Sequence, residues 1–262
     1  MKKVLSLVFL ILILSKDKKC SAQKFADKEY YLIDSLVLEE LSEDNLEIIE
    51  EALELFTSTT KVSKKRESLF YIIDNCYDPF AWVLYNEFSN EFAKKQLKKN
   101  KFTSNSEKKE MVSFLGLTQY YKGYTDDVRG DAEKSIFYYK KSLATYKSIN
   151  DKEGVAMCME NIGAYYFQTG SMNIALECFH KGVKLSTEIG YLEGLANNNR
   201  ALGDYFYTQK EFDKALKIYK ECLLIFEELE EDEAIGYCIT DIGRIYEIKD
   251  SLDLALKAYN KV

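Results

Sequence analysis

The chain has 262 residues, 47% of them hydrophobic and 14% aromatic, which is enough apolar material to bury a core and excludes a disordered chain. One proline and 12 glycines leave few breaks in the chain, so an all-α class is expected over a turn-rich β protein. The formal charge of −7 includes a basic leader, so the remainder is more acidic still, which argues against direct binding of nucleic-acid phosphates.

Residues 1–22 read MKKVLSLVFLILILSKDKKCSA: two lysines, an apolar run from Val4 to Leu14 and a small residue at Ala22. This is the layout of a secretory signal peptide cleaved after Ala22, placing the mature chain in the periplasm or cell envelope. The run is shorter than the ~20 residues of a membrane span. An uncleaved anchor is the alternative, and a lipid on Cys20 is disfavoured by Lys18 and Lys19 before it. Membrane contact is expected only through this segment or one downstream. Residues 23–100 form an N-terminal helical region with helices over roughly 28–41, 44–58, 62–76 and 79–98. They are either a cap or eroded repeats; the Ala81 to Tyr85 step, with Trp82 beside it, favours repeats.

From residue 105 onward the sequence is periodic. NIGAYYFQTGSMNIALECFHKG from Asn161, ALGDYFYTQKEFDKALKIYKEC from Ala201 and DIGRIYEIKDSLDLALKAYNKV from Asp241 align without a gap and at one constant step. Gly163, Gly203 and Gly243 coincide, as do Ala175, Ala215 and Ala255 and the aromatics Phe179, Tyr219 and Tyr259. Glycine inside a helix costs about 1 kcal/mol against alanine, so its recurrence marks a point where a partner helix leaves no room for a side chain. Phe212, Ala215, Leu216, Tyr219, Cys222, Leu223, Phe226 and Leu229 form one apolar stripe at helical spacing. Short polar connections at Thr169 to Ser171, Thr208 to Glu211 and Lys249 to Ser251 predict antiparallel hairpins, with Gly170 as a C-terminal cap. The units run 153–192, 193–232 and 233–262. A degenerate unit at 105–150 precedes them, with Ser135, Tyr139, Ser142 and Tyr146 in register. Its Leu115-Gly116 and Tyr120 fall too early for that register, and GYTDDVRG is expected to form a longer loop.

Leu202-Gly203, Phe206, Ala215 and Tyr219 resemble the tetratricopeptide repeat family, although the usual terminal proline is missing and the period exceeds the family's ~34 residues. The resemblance implies an α-solenoid of antiparallel hairpins with a right-handed superhelix, a non-catalytic scaffold that binds a protein or peptide. It places groove residues on the first helices: Met157, Glu160, Ala164 and Phe167, then Asn197, Arg200, Asp204 and Tyr207, then Tyr237, Thr240, Arg244 and Glu247. The alternative for this face is a solvated surface that pairs its own charges, Arg200 with Asp204 and Arg244 with Glu247.

Nothing in the sequence points to catalysis, a cofactor or a metal. The lone His180 stands where the other units have Lys220 and Asn260, a surface position. Cys76, Cys158, Cys178, Cys222 and Cys238 lack the spacing of a zinc site or disulfide framework and read as packing residues. Long-period repeats behind a signal peptide resemble the extracytoplasmic part of a bacterial sensor kinase or regulator, and the apolar last helix suggests a chain that continues past Val262. A free-standing envelope scaffold is the competing class.

Overall fold

The computed structural model describes residues 32, 33, 36 and 40–260. The signal-peptide reading and nearly all of the helix expected over 28–41 lie outside them. Among the described residues there are eleven α-helices and no strand, an all-α array of helix hairpins. No described helix is long and apolar enough to cross a membrane.

The described part divides into two compact units, with the boundary between Ile149 and Asn150. The first holds α1 (Glu43–Ser58), α2 (Val62–Asn75), α3 (Pro79–Lys99), α4 (Asn105–Val128) and α5 (Ala132–Ser148). α3 begins with Pro79 in its first turn, where the missing N–H is not needed, and Asp78 accepts from the Ala81 amide at 2.7 Å. Ile49, Leu53, Leu69, Ile72, Tyr85 and Met111 are fully buried in one core that α1 to α4 share. Trp82 is buried there with its indole N–H donating to the Ile73 carbonyl at 2.8 Å.

One expectation fails in this unit. The stretch GYTDDVRG is not a loop: α4 continues through it to Val128 and the turn is confined to Arg129–Asp131. The reason lies at Gly123, which stands before Gly163 by the same step that separates Gly163 from Gly203. A Cβ on Gly123 would come within 2.8 Å of the Tyr139 ring. The helix glycine is thus in phase with the later units, and contact with Tyr139 offsets its propensity cost. Gly116, taken in the sequence as the early counterpart, packs against Tyr146 instead.

The second unit holds three hairpins: α6 (Lys152–Gln168) with α7 (Met172–Ile189), α8 (Leu192–Thr208) with α9 (Phe212–Glu228), and α10 (Asp232–Ile248) with α11 (Leu252–Tyr259). In each, the repeat glycine lies under a ring of the second helix, Gly163 under Phe179, Gly203 under Tyr219 and Gly243 under Tyr259. Ala175 and Ala215 are fully buried and Ala255 nearly so. Neighbouring hairpins share cores: Ala215 and Tyr219 cluster with Ile242 and Ile245, and Ala196, Cys222, Phe226 and Cys238 form another.

Candidate binding face

The turns set the phase of every helix in the second unit. Gly170, Gly190, Lys210, Glu230 and Asp250 have positive φ and recur at a constant step, half that of the repeat. After each first helix the chain closes in the same way: Ser171, Glu211 and Ser251 donate their N–H to the carbonyls of Tyr166, Phe206 and Tyr246 at 2.8, 2.9 and 2.9 Å. This six-to-one bond satisfies a carbonyl that the helix end leaves open. With phase and rotation fixed, residues three and four apart on α6, α8 and α10 form one stripe per helix.

Most of the groove residues read from sequence are half-buried: Met157, Glu160, Ala164, Phe167, Asn197, Arg200, Asp204, Tyr207 and Thr240, whereas Tyr237, Arg244 and Glu247 are exposed. Several of these positions converge. Arg200 lies 3.8 Å from Asp204 and 4.0 Å from Asp241 of the next hairpin, with the Tyr237 ring 5.7 Å from its guanidinium carbon. Asp204 also accepts from the Tyr219 hydroxyl at 2.6 Å, tying the stripe to the hairpin's core aromatic. Burial pushes that hydroxyl's pKa up, and the charge of Asp204 adds to the effect. Thr240 spends its hydroxyl on the Gly236 carbonyl of its own helix, at 2.8 Å. Phe167 packs on the Ala175 and Phe179 cluster, and Tyr207 meets Phe212 edge-on at 5.6 Å.

The expected partner of Arg244 is corrected. Arg244 pairs with Asp241 at 3.3 Å, not with Glu247. A carboxylate three residues earlier, held between two guanidinium groups, is the nearer partner. Burial, then the charge and hydrogen bond of Glu247, push up the Tyr259 hydroxyl on the second helix of the same hairpin. Asp241 is the member of this cluster that the sequence reading missed. Its repeat counterparts are Asn161 and Ala201, so the alignment carried no charge signal there.

Glu160 stands apart from the other carboxylates. Among the described residues no hydrogen bond and no ion pair within 4 Å reaches it, and Arg200 acts on it only from a distance. Burial raises its pKa to about 7; Arg200 opposes that shift and Glu193 adds to it. Burial likewise raises Asp241, with Asp204 adding and Arg200 and Arg244 opposing. For Arg200 burial works against the charge, and Asp204, Glu160 and Asp241 outweigh it. A guanidinium 3.8 Å or more from its carboxylates is attracted but not hydrogen-bonded. Surface pairs of that kind contribute about 0–1 kcal/mol.

The remaining candidates fall outside this cluster. His180 is exposed on α7. The five described cysteines are free thiols, with Cys76, Cys158, Cys222 and Cys238 buried and Cys178 half-buried. Burial pushes the Cys76 and Cys238 thiols up to about 12, which leaves them protonated and unreactive at neutral pH. Among the described residues no cluster of three or more His, Cys, Asp or Glu could hold a metal ion.

Residues 155–189, covering most of α6 and all of α7 after its connecting turn, match the family model described as a tetratricopeptide repeat. The chain carries a tetratricopeptide-type repeat. Solved structures with the repeat's architecture include BtubC (BKLC) from P. vanneervenii, at a TM-score of 0.59 and 14% identity over 91% of this chain and 90% of that one. A Rap protein complexed with Competence and Sporulation Factor is similar at a TM-score of 0.52 and 16% identity, over 86% of this chain and 66% of that one. The apo form of RapI is similar at a TM-score of 0.51 and 15% identity, over the same shares. The chain therefore spans just under two thirds of the Rap structures. At these identities the likeness concerns the fold of the tetratricopeptide array. No curated protein matches the chain in sequence.

Proposed function

We propose that the chain is a non-catalytic module that binds a protein or peptide along the stripes of α6, α8 and α10. The observation that carries this reading is the state of Arg200 and Glu160. Both are half-buried and ionisable, and among the described residues neither makes a hydrogen bond. Taking charge partly out of water without hydrogen-bonding it costs stability. A partner that completes the pairing recovers that cost, and a half-buried stripe with Tyr237 and Asn197 beside the charges offers aromatic and amide contacts as well. A Rap protein of similar fold is complexed with Competence and Sporulation Factor, which fits a binding role for this array.

The finer reading is that these residues belong to the extracytoplasmic recognition region of a bacterial signalling protein, of the sensor-kinase or regulator type. What supports it is the leader at residues 1–22 and the resemblance of the repeat spacing to such arrays. A free-standing envelope scaffold would share the face but not the output.

The test is site-specific photo-crosslinking in cells, with the reactive residue at position 197 or, on the outer side of α9, at the exposed position 217. Partner adducts from 197 and none from 217 are expected. Equal adducts from both positions would overturn the assignment of the face. Fractionation of the same cells reports the compartment: adducts recovered only from cytoplasm would count against the exported reading and leave the binding face standing.

A further inference from the structure

The three first helices of the second unit differ in charge from the three second helices. α6, α8 and α10 carry eight acidic residues against three basic ones, whereas α7, α9 and α11 carry seven against six. The acidity of this unit is therefore concentrated on the helices that form the binding stripes. Of the three cations on those helices, Lys152 is spent on Glu188 at 2.9 Å. Arg244 is held by Asp241 at 3.3 Å. Arg200 faces Glu160, Asp204 and Asp241 together, within hydrogen-bond distance of none of them. Asp204 also accepts from Tyr219 and Asp241 from Arg244, and among the described residues the carboxylate left over is Glu160.

We infer that the α6, α8 and α10 face selects a positively charged partner segment, and that a lysine or arginine side chain of the partner seats against the Glu160 carboxylate. The inference rests on the binding reading above and adds the chemistry of the partner. The geometry suits it in three ways. Glu160 is half-buried, so a paired cation there is shielded from solvent and screened less than at a rim. Tyr237, exposed and already stacked on Arg200, offers a ring face to a second cation. Met157, one turn before Glu160 on the same stripe, and Asn197 on the next are half-buried and offer contact to the aliphatic stem of such a side chain.

The state of Glu160 makes the contact sensitive to pH. Its carboxyl is raised to about 7 by burial, with Glu193 adding and Arg200 opposing. The charged groups that act on it are Arg200 and Glu193 from α8, and it acts in turn on Tyr191 just before α8, as Glu153 does; among the described residues no titratable side chain of α7 is named beside it. A cation brought against Glu160 favours the charged carboxylate and lowers its pKa, so binding releases a proton near neutral pH. Affinity for a basic segment should fall as pH drops below about 7.

The experiment is a selection of displayed random short peptides on the full chain at pH 8, followed by binding of synthetic winners to the wild type, Glu160→Gln and Glu177→Gln, the last on the outer side of α7. Winners enriched in lysine and arginine, weakened about tenfold by Glu160→Gln and unchanged by Glu177→Gln, are expected. Binding to the wild type should weaken between pH 8 and pH 6, and Glu160→Gln should lose that dependence. Circular dichroism of each variant shows that the fold is retained. Winners that are acidic or neutral, or basic winners indifferent to Glu160→Gln, would overturn this inference and leave the binding face in place. A selection that enriches no peptide of any charge would overturn the binding reading itself.

Discussion

Gly182 and Asn198 show how one residue's absence is answered by another from the next repeat. In the following unit Cys222 occupies the position of Gly182, and its thiol donates to the Ala196 carbonyl at 3.4 Å. Gly182 has no side chain to do this for Ala156. Asn198 fills the space instead, donating to the Ala156 carbonyl at 3.4 Å and to the Gly194 carbonyl at 2.8 Å. The exchange is imperfect, because Asn198 Oδ1 and the nearby Ser186 Oγ have no partner. Gly182→Cys alone should cost about 1–3 kcal/mol through collision with Asn198. Asn198→Cys alone should cost a similar amount by leaving a carbonyl unpaired over a gap. The double variant copies the Cys222 and Cys238 pair and should recover more than about 1 kcal/mol, which a double-mutant cycle in urea under reducing conditions would measure. Additive losses would show that the two positions do not share one space. Glu160 gives a second prediction at this scale. Its pKa is raised from 4.5 to about 7 on folding, so the folded state holds a proton that the unfolded state has lost between those values. Stability from this residue is therefore fully present below pH 4.5 and declines as pH rises to about 7. Glu160→Gln should remove that decline and stabilise the chain at pH 8 by roughly 1–3 kcal/mol, read as the difference between the two pH profiles of unfolding. A variant that is less stable than wild type at pH 8 would mean that Glu160 is paired after all.

At the scale of the element, the turns decide which side of each helix faces inward. Gly170 and Gly190 adopt positive φ without steric cost, but Lys210, Glu230 and Asp250 hold the same conformation with a side chain attached. Their neighbours' N–H groups still reach back to the carbonyls of the preceding helix, as Glu211 does to Phe206 at 2.9 Å. Lys210 is exposed, so its strain is not offset by packing. Lys210→Gly should relieve about 1–2 kcal/mol of backbone strain, lose part of that to greater chain freedom, and leave a net gain in stability of about 0.5–1 kcal/mol, read from the unfolding midpoint. Gly190→Ala should go the other way by a similar amount. The failed loop at GYTDDVRG belongs to this scale too. Judged locally, two glycines and two aspartates are breakers, but only Gly130 is one, with φ at 78°. Gly123 is a contact point for Tyr139, and the sequence distinguishes the two glycines only through the repeat step that leads from Gly123 to Gly163.

For the molecule, the division at Ile149 and Asn150 predicts that the second unit can stand alone. Its clusters around Ala175, Ala215 and Cys222 are built from its own residues, and the core around Leu53, Leu69 and Met111 is built from those of the first unit. A fragment of residues 150–262 should therefore be helical by far-ultraviolet circular dichroism and unfold in urea with a defined transition. A fragment lacking that transition would mean that the first unit is needed to order it. The all-α class, the hairpins and the recurring glycine that leaves no room for a side chain were legible in the sequence, because helical spacing and a repeat are local or periodic properties that the linear order preserves. The choice of Asp241 over Glu247 for Arg244, the filling of Gly182 by Asn198 and the isolation of Glu160 were decided by tertiary structure alone. Each depends on where side chains settle in the folded array, and the energy of a charge or an unpaired polar atom is set by its neighbours in space and by how much water they exclude.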